Sequence, residues 1–119
     1  MLIADAARST GATPRALRWY EQYGLISPRR TVGGYRVYDS SDLRRVRHIR
    51  ELLELGFTLE QLRDYSDLLD RDVPADFSAA DSPRCRVALE QARRRLAEID
   101  DRMARLATDR ARLAARLGR

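Results

Sequence analysis

The chain has 119 residues, 34% of them charged, with 23 basic residues that are all arginine, 18 acids and a net charge of +5, which fits one small domain or a small domain plus an extended helix. A single cysteine excludes an intrachain disulfide and a zinc-finger framework. No apolar run is long enough to span a bilayer and no signal-type segment opens the chain, so a cytoplasmic protein is expected.

The charge is unevenly spread. Residues 1–50 hold ten arginines against four acids, residues 51–81 two against nine, and residues 82–119 eleven against five; a cationic front segment points to a polyanion such as nucleic acid. Within it, Ile3, Ala6, Ala7 and Thr10 recur at helical spacing and Gly11 ends the helix they mark. Thr13 and Pro14 then serve as N-cap and first-turn proline of a second helix running to about Tyr23, with Gly24 suited to the left-handed position after it. Its inward face is Ala16, Leu17 and Tyr20, leaving Arg15, Arg18, Trp19 and Gln22 toward solvent or a partner. The segment ISPRRTVGGYRVY reads as a small β-hairpin around Gly33 and Gly34 with arginines near its tip, its first strand limited by Pro28.

Asp39 and Asp42 form a capping-box-like start for a third helix, whose stripe is Leu43, Val46, Ile49, Leu52 and Leu53 and which Gly56 ends. Thr58 and Gln61 open a fourth helix carrying Leu59, Leu62, Tyr65 and Leu69. Residues 70–81 show no periodicity and read as a linker, and Ser82 and Pro83 restart a helix. From Cys85, positions 85, 89, 92, 96, 99, 103, 106, 110, 113 and 117 advance by four and three in turn, and only Arg110 among them is charged. This is a heptad seam. A helix over 83–117 is about 50 Å long, too long to bury its seam against the domain before it, so a partner helix is expected, most simply a second copy.

A helix-turn-helix reads DNA by laying its second helix in the major groove. Arg15 and Arg18 stand three residues apart and share a face, where arginine bonds guanine edges bidentately or pairs with phosphate. Tyr20 can offer its hydroxyl to phosphate while its ring packs inward, and Arg29, Arg30 and Arg36 of the hairpin form a wing beside the groove.

The run LRWYEQYGLISPRR, followed by GGYRVYDSSDLRRVRHIRELLELGFTLEQL, resembles the DNA-binding region of the MerR family of bacterial transcription regulators. The likeness covers residues 3–69 and continues into the long helix; Trp19 stands where Tyr or Phe is usual. It implies a mainly α fold: a winged helix-turn-helix DNA-binding domain over residues 1–69, a linker over 70–81, and a dimerisation helix over 82–119 that pairs as an antiparallel coiled coil in a homodimer. It also implies double-stranded promoter DNA as partner, with a spacer too long for efficient RNA polymerase recognition, which the regulator bends and undertwists so that polymerase engages it. The contact positions that it implies here are Arg15, Arg18 and Tyr20 of the recognition helix and Arg30, Tyr35 and Arg36 of the wing, with Phe57 and Thr58 at a second-wing turn. Two further readings stay open, an architectural or excision-type DNA-bending protein and a coiled-coil adaptor without DNA binding.

A sensor is harder to place. Cys85, in the first turn between Arg84 and Arg86, sits where the helix dipole and nearby cations favour thiolate, which makes it a candidate thiol sensor. Its place is similar to the first metal-binding cysteine of metal-sensing relatives, yet it also falls on the seam, where cysteine acts as a small hydrophobe. In an antiparallel pair the two Cys85 side chains lie near opposite ends, too far apart for a disulfide or a shared metal; no metal and no cofactor are expected. The sequence stops two residues after Leu117, which predicts a protein without a separate drug-binding domain or a cysteine-containing loop. An alternative effector is a small hydrophobic molecule near Tyr65, Phe77 and the linker. His48, among Arg44, Arg45, Arg47 and Arg50, reads as a surface residue. The carboxylates of residues 64–81 have no nucleophile, phosphate loop or metal triad beside them, so no enzyme is expected.

Overall fold

The computed structural model describes residues 1–64, 66, 69 and 83–119. Helix α1 (Ile3–Thr10) stops at Gly11, whose φ of 76° places its N–H 2.8 Å from the carbonyl of Ala7. That left-handed geometry suits glycine. In the turn the buried Thr10 hydroxyl donates to the Ala6 carbonyl at 2.8 Å and accepts the N–H of Ala12 at 3.3 Å, so burying it leaves no hydrogen bond unmade. Helix α2 (Pro14–Gln22) begins where the Thr13 hydroxyl accepts the N–H of Ala16 at 3.0 Å, as the Thr-Pro pair predicts.

The hairpin is smaller than its sequence suggests. Strands β1 (Arg29–Arg30) and β2 (Arg36–Val37) pair antiparallel over two residues each, Arg29 opposite Val37 and Arg30 opposite Arg36. So short a ladder needs support from outside itself, and it receives some at its base. The N–H of Tyr38 donates to the Met1 carbonyl at 2.7 Å, and the amino group of Met1 donates back to the Tyr38 carbonyl at 3.0 Å.

Helix α3 (Ser40–Glu54) opens on the expected box, with Asp39 accepting the N–H of Asp42 at 2.8 Å and Asp42 accepting that of Asp39 at 3.0 Å. Helix α4 (Leu59–Arg63) has the corresponding box from Thr58 and Gln61. It is a helix of five residues, shorter than the stripe reaching to Leu69 implies; Leu69 is nonetheless buried, while Tyr65 lies outside the described residues. The core joins these elements: Leu17 of α2, Leu25 and Ile26 after it, Tyr38, Val46 and Ile49 of α3, and Leu62 of α4 are its largest fully buried side chains.

Three arginines fasten the elements by donating to carbonyls that helix and turn ends leave free. Arg50 of α3 reaches the Thr10 carbonyl at 2.5 Å, Arg45 reaches that of Leu25, and Arg95 reaches that of Leu55 at 2.5 Å. His48 corrects the expectation of a surface residue: it is half-buried, and its Nδ1 lies 2.7 Å from the Leu69 carbonyl, tying α3 to the chain after α4. Its neighbours in sequence suggested solvent, but the partner that covers it comes from 21 residues away.

Helix α5 (Pro83–Arg116) has 34 residues and gives the molecule its 68 Å long axis. Its first turns rest on the domain before it, with Ala88 buried and Ala92 packed against the core. Beyond Arg95, the seam side chains Leu96, Met103, Leu106, Leu113 and Leu117 are 59–66% exposed in the single chain.

Candidate nucleic-acid interface

On the outer side of α2, Arg15, Arg18, Trp19, Glu21 and Gln22 line an open groove of about 450 Å³ that Arg36 of β2 closes from the wing. The Thr13 cap and Pro14 set where α2 begins, and burial of Leu17 and Tyr20 sets its rotation; together they turn Arg15 and Arg18 outward. Both are exposed, and among the described residues neither is hydrogen-bonded or ion-paired. Their guanidinium groups keep all five donors each for a ligand.

The wing residues sit differently. Tyr35 is 70% exposed, beside a turn in which Gly34, at φ 84°, donates to the Thr31 carbonyl at 2.9 Å. Arg30 donates to the Gly34 carbonyl at 3.1 Å and lies 3.6 Å from Oε1 of Glu21. Arg36 donates through Nε to Oε2 of the same carboxylate at 2.5 Å. Glu21 is therefore a member of the site that reading by motif missed. The available signal was compositional: it is the one acid between Asp5 and Asp39, a stretch with six arginines.

Tyr20 is 5% exposed, and burial raises its pKa above 10.0, with the Arg50 charge opposing. Its ring belongs to the core. Beneath the groove, Tyr38 is fully buried, and its hydroxyl has no hydrogen-bond partner among the described residues. Burial, then the Glu21 carboxylate, raise the Tyr38 pKa, against the pull of Arg36. Trp19 is partly exposed and meets Tyr23 with ring centroids 6.0 Å apart, while the Arg63 guanidinium of α4 stands 5.4 Å over the Tyr23 ring. The Arg63–Tyr23 pair is a cation–π contact between the C-cap of α2 and α4. Of the two residues expected at the second-wing turn, Phe57 is buried and Thr58 is exposed as the α4 cap.

The backbone of Cys85 lies in the first turn of α5, but its side chain lies outside the described residues, as does Phe77. Among the described residues no group of three or more His, Cys, Asp or Glu side chains could hold a metal ion, and no helix is long and apolar enough to cross a membrane.

Residues 1–69 match the profile of the MerR HTH family regulatory protein. The chain belongs to the MerR family. It is 38% identical over 105 residues to the HTH-type transcriptional regulator HmrR of Sinorhizobium medicae (strain WSM419), covering 85% of this chain and 68% of that protein. It is 36% identical over 105 residues to the heavy metal-dependent transcription regulator 2 of Rhizobium meliloti (strain 1021), covering 87% of this chain and 65% of that one. The chain thus spans about two thirds of the length of these curated relatives. A MerR family transcriptional regulator from Listeria monocytogenes shares the fold, with a TM-score of 0.77 at 23% identity over 96% of this chain and 83% of that one. Members of the MerR family are DNA-binding transcription regulators and not enzymes, and the winged helix-turn-helix with its long C-terminal helix is the fold seen here.

Proposed function

We propose that the chain is a sequence-specific promoter-binding regulator that acts as a homodimer. In this reading residues 1–69 bind DNA, residues 70–81 link, and residues 82–119 dimerise by antiparallel pairing of the α5 seams. Bound to a promoter with an overlong spacer, the dimer distorts the duplex so that RNA polymerase engages it, in response to a signal. The observation that carries the reading is the pair Arg15 and Arg18, exposed on one face of α2 with no partner among the described residues, in a groove that the wing closes. Arg15 and Arg18 fit base edges or phosphate, Arg30, Tyr35 and Arg36 fit the backbone beside the groove, and buried Tyr20 supports the helix more than it contacts phosphate.

The test is a gel-shift titration on the gene's upstream DNA between 50 and 200 mM salt. With about six phosphate contacts, affinity falls roughly a thousandfold over that range. Arg18→Ala is expected to weaken specific binding by about 1–3 kcal/mol, roughly 5- to 150-fold. Weak binding that any competitor DNA removes would favour the architectural or adaptor readings instead. For the signal, Cys85 is the candidate thiol; a response of the complex to oxidant that Cys85→Ser alone abolishes supports it, and an unchanged response removes it.

A further inference from the structure

Resting on the reading that the wing grips DNA, we infer that Glu21 is a specificity-determining residue that holds the two wing arginines in one fixed pose. Arg30 and Arg36 stand directly opposite each other across a ladder of only two residue pairs, and like charges so placed repel and destabilise the pairing. One carboxylate lies between them. Its Oε2 takes Arg36 at 2.5 Å and its Oε1 faces Arg30 at 3.6 Å, and both it and Arg36 are largely covered, at 24% and 28% side-chain exposure. The carboxylate comes from α2, 15 residues from Arg36 and three after Arg18 on the same helical face. It therefore links the wing to the helix that carries the base-reading candidates.

The pose has a consequence for binding. Arg36 Nε donates to Glu21, Arg30 Nη1 donates to the Gly34 carbonyl, and the half-exposed Arg30 is ion-paired with Glu21 through Nη2 at 3.6 Å, so the donors left over are directed relative to Arg15 and Arg18. A rigid clamp accepts only DNA whose backbone can be brought to that spacing, and the energy of doing so depends on sequence. An arginine pair released from Glu21 would adapt to any backbone. Glu21 also removes one positive charge from the wing, which weakens the sequence-independent attraction.

The test compares wild type, Glu21→Gln and Glu21→Asp, all as the full chain, on two 30-base-pair duplexes. One is the tightest binder that wild type selects from a randomised pool, and the other is its scrambled sequence. Glu21→Gln is expected to bind the scrambled duplex about eightfold more tightly at 0.1 M salt, with a salt dependence steeper by about 0.9, the effect of one further phosphate contact. Its affinity for the selected duplex gains less, so the ratio between the two falls. Glu21→Asp keeps the charge and loses the reach to both arginines, and its ratio is expected between the other two; it carries the test if circular dichroism shows Glu21→Gln unfolded. An equal shift on both duplexes, or parallel weakening with an unchanged salt slope, overturns the inference, because either means charge or scaffolding alone. Failure of the underlying reading shows elsewhere: an Arg30→Ala, Arg36→Ala double variant that keeps the wild-type slope, or a wild type that does not discriminate between the duplexes, overturns both.

Discussion

Replacing Leu106 with alanine tests whether the α5 seam is the dimer interface. In the single chain Leu106 is 66% exposed, and full burial of a leucine stabilises by about 1.5–3 kcal/mol, so pairing still has about 1–2 kcal/mol to gain at this residue. A two-fold dimer presents Leu106 twice. Removing it should then weaken dimerisation by about 2–4 kcal/mol, a factor of roughly 30 to 1,000 in Kd. Thr108, two residues on, is exposed and its hydroxyl donates back to the Ala104 carbonyl at 3.2 Å; Thr108→Ala should leave Kd unchanged and serves as the control. Sedimentation velocity over nanomolar to micromolar concentrations reads both. If Leu106→Ala dimerises as tightly as wild type, or if Thr108→Ala weakens dimerisation as much, the seam is not the interface and the pairing in the proposed function is wrong.

Tyr38→Phe removes a buried hydroxyl with no partner among the described residues, so it should not lower stability and should raise it by about 1 kcal/mol, read as a rise in Tm; a clear fall would show that the hydroxyl is bonded in solution. Asp39→Ala should lower Tm at pH 7 by losing the α3 cap. The N–H of Asp42 holds the Asp39 carboxyl below its ordinary 3.8, so its contribution is complete above that value and is lost as pH falls through the lower folded pKa. Asp42 opposes it: burial raises that carboxyl above 3.8, and what it contributes is present below 3.8 and lost as pH rises. The Tm gap between wild type and Asp39→Ala should therefore narrow below about pH 3.8, and a gap of constant size would contradict the capping assignment. Gly56→Ala combines a φ of 103° with a methyl group driven into the Arg95 guanidinium, at a cost of about 1–3 kcal/mol. Denaturant melts of Gly56→Ala, Arg95→Ala and the double variant should show less than additive loss, because both single changes break the same contact.

The boundaries of most elements were written in the chain itself. Thr13-Pro14, Asp39 with Asp42, and Thr58 with Gln61 each act within three residues, and Gly11 answers to the φ of its own backbone, so neighbours in sequence suffice to place them. The α5 seam is equally legible because its spacing is a property of the helix. Arg15 and Arg18 were readable as a pair for the same reason, since three residues on a helix fix a shared face.

Tertiary structure decided which arginines are available to a ligand. Arg50, Arg45 and Arg95 meet carbonyls 40, 20 and 40 residues away, and Arg36 meets Glu21 across 15. A guanidinium carries five donors on a long flexible stem, and the partner it finds depends on which carbonyl or carboxylate packing brings within reach. Periodicity carries no information about that. The same holds for His48 against the Leu69 carbonyl, and for Ala88 and Ala92, whose small side chains let α5 rest on the core before its leucines are left exposed. Sequence alone identified a cationic helix, α2, beside a wing; folding alone divided the chain's arginines between those that hold the protein together and those that face the groove.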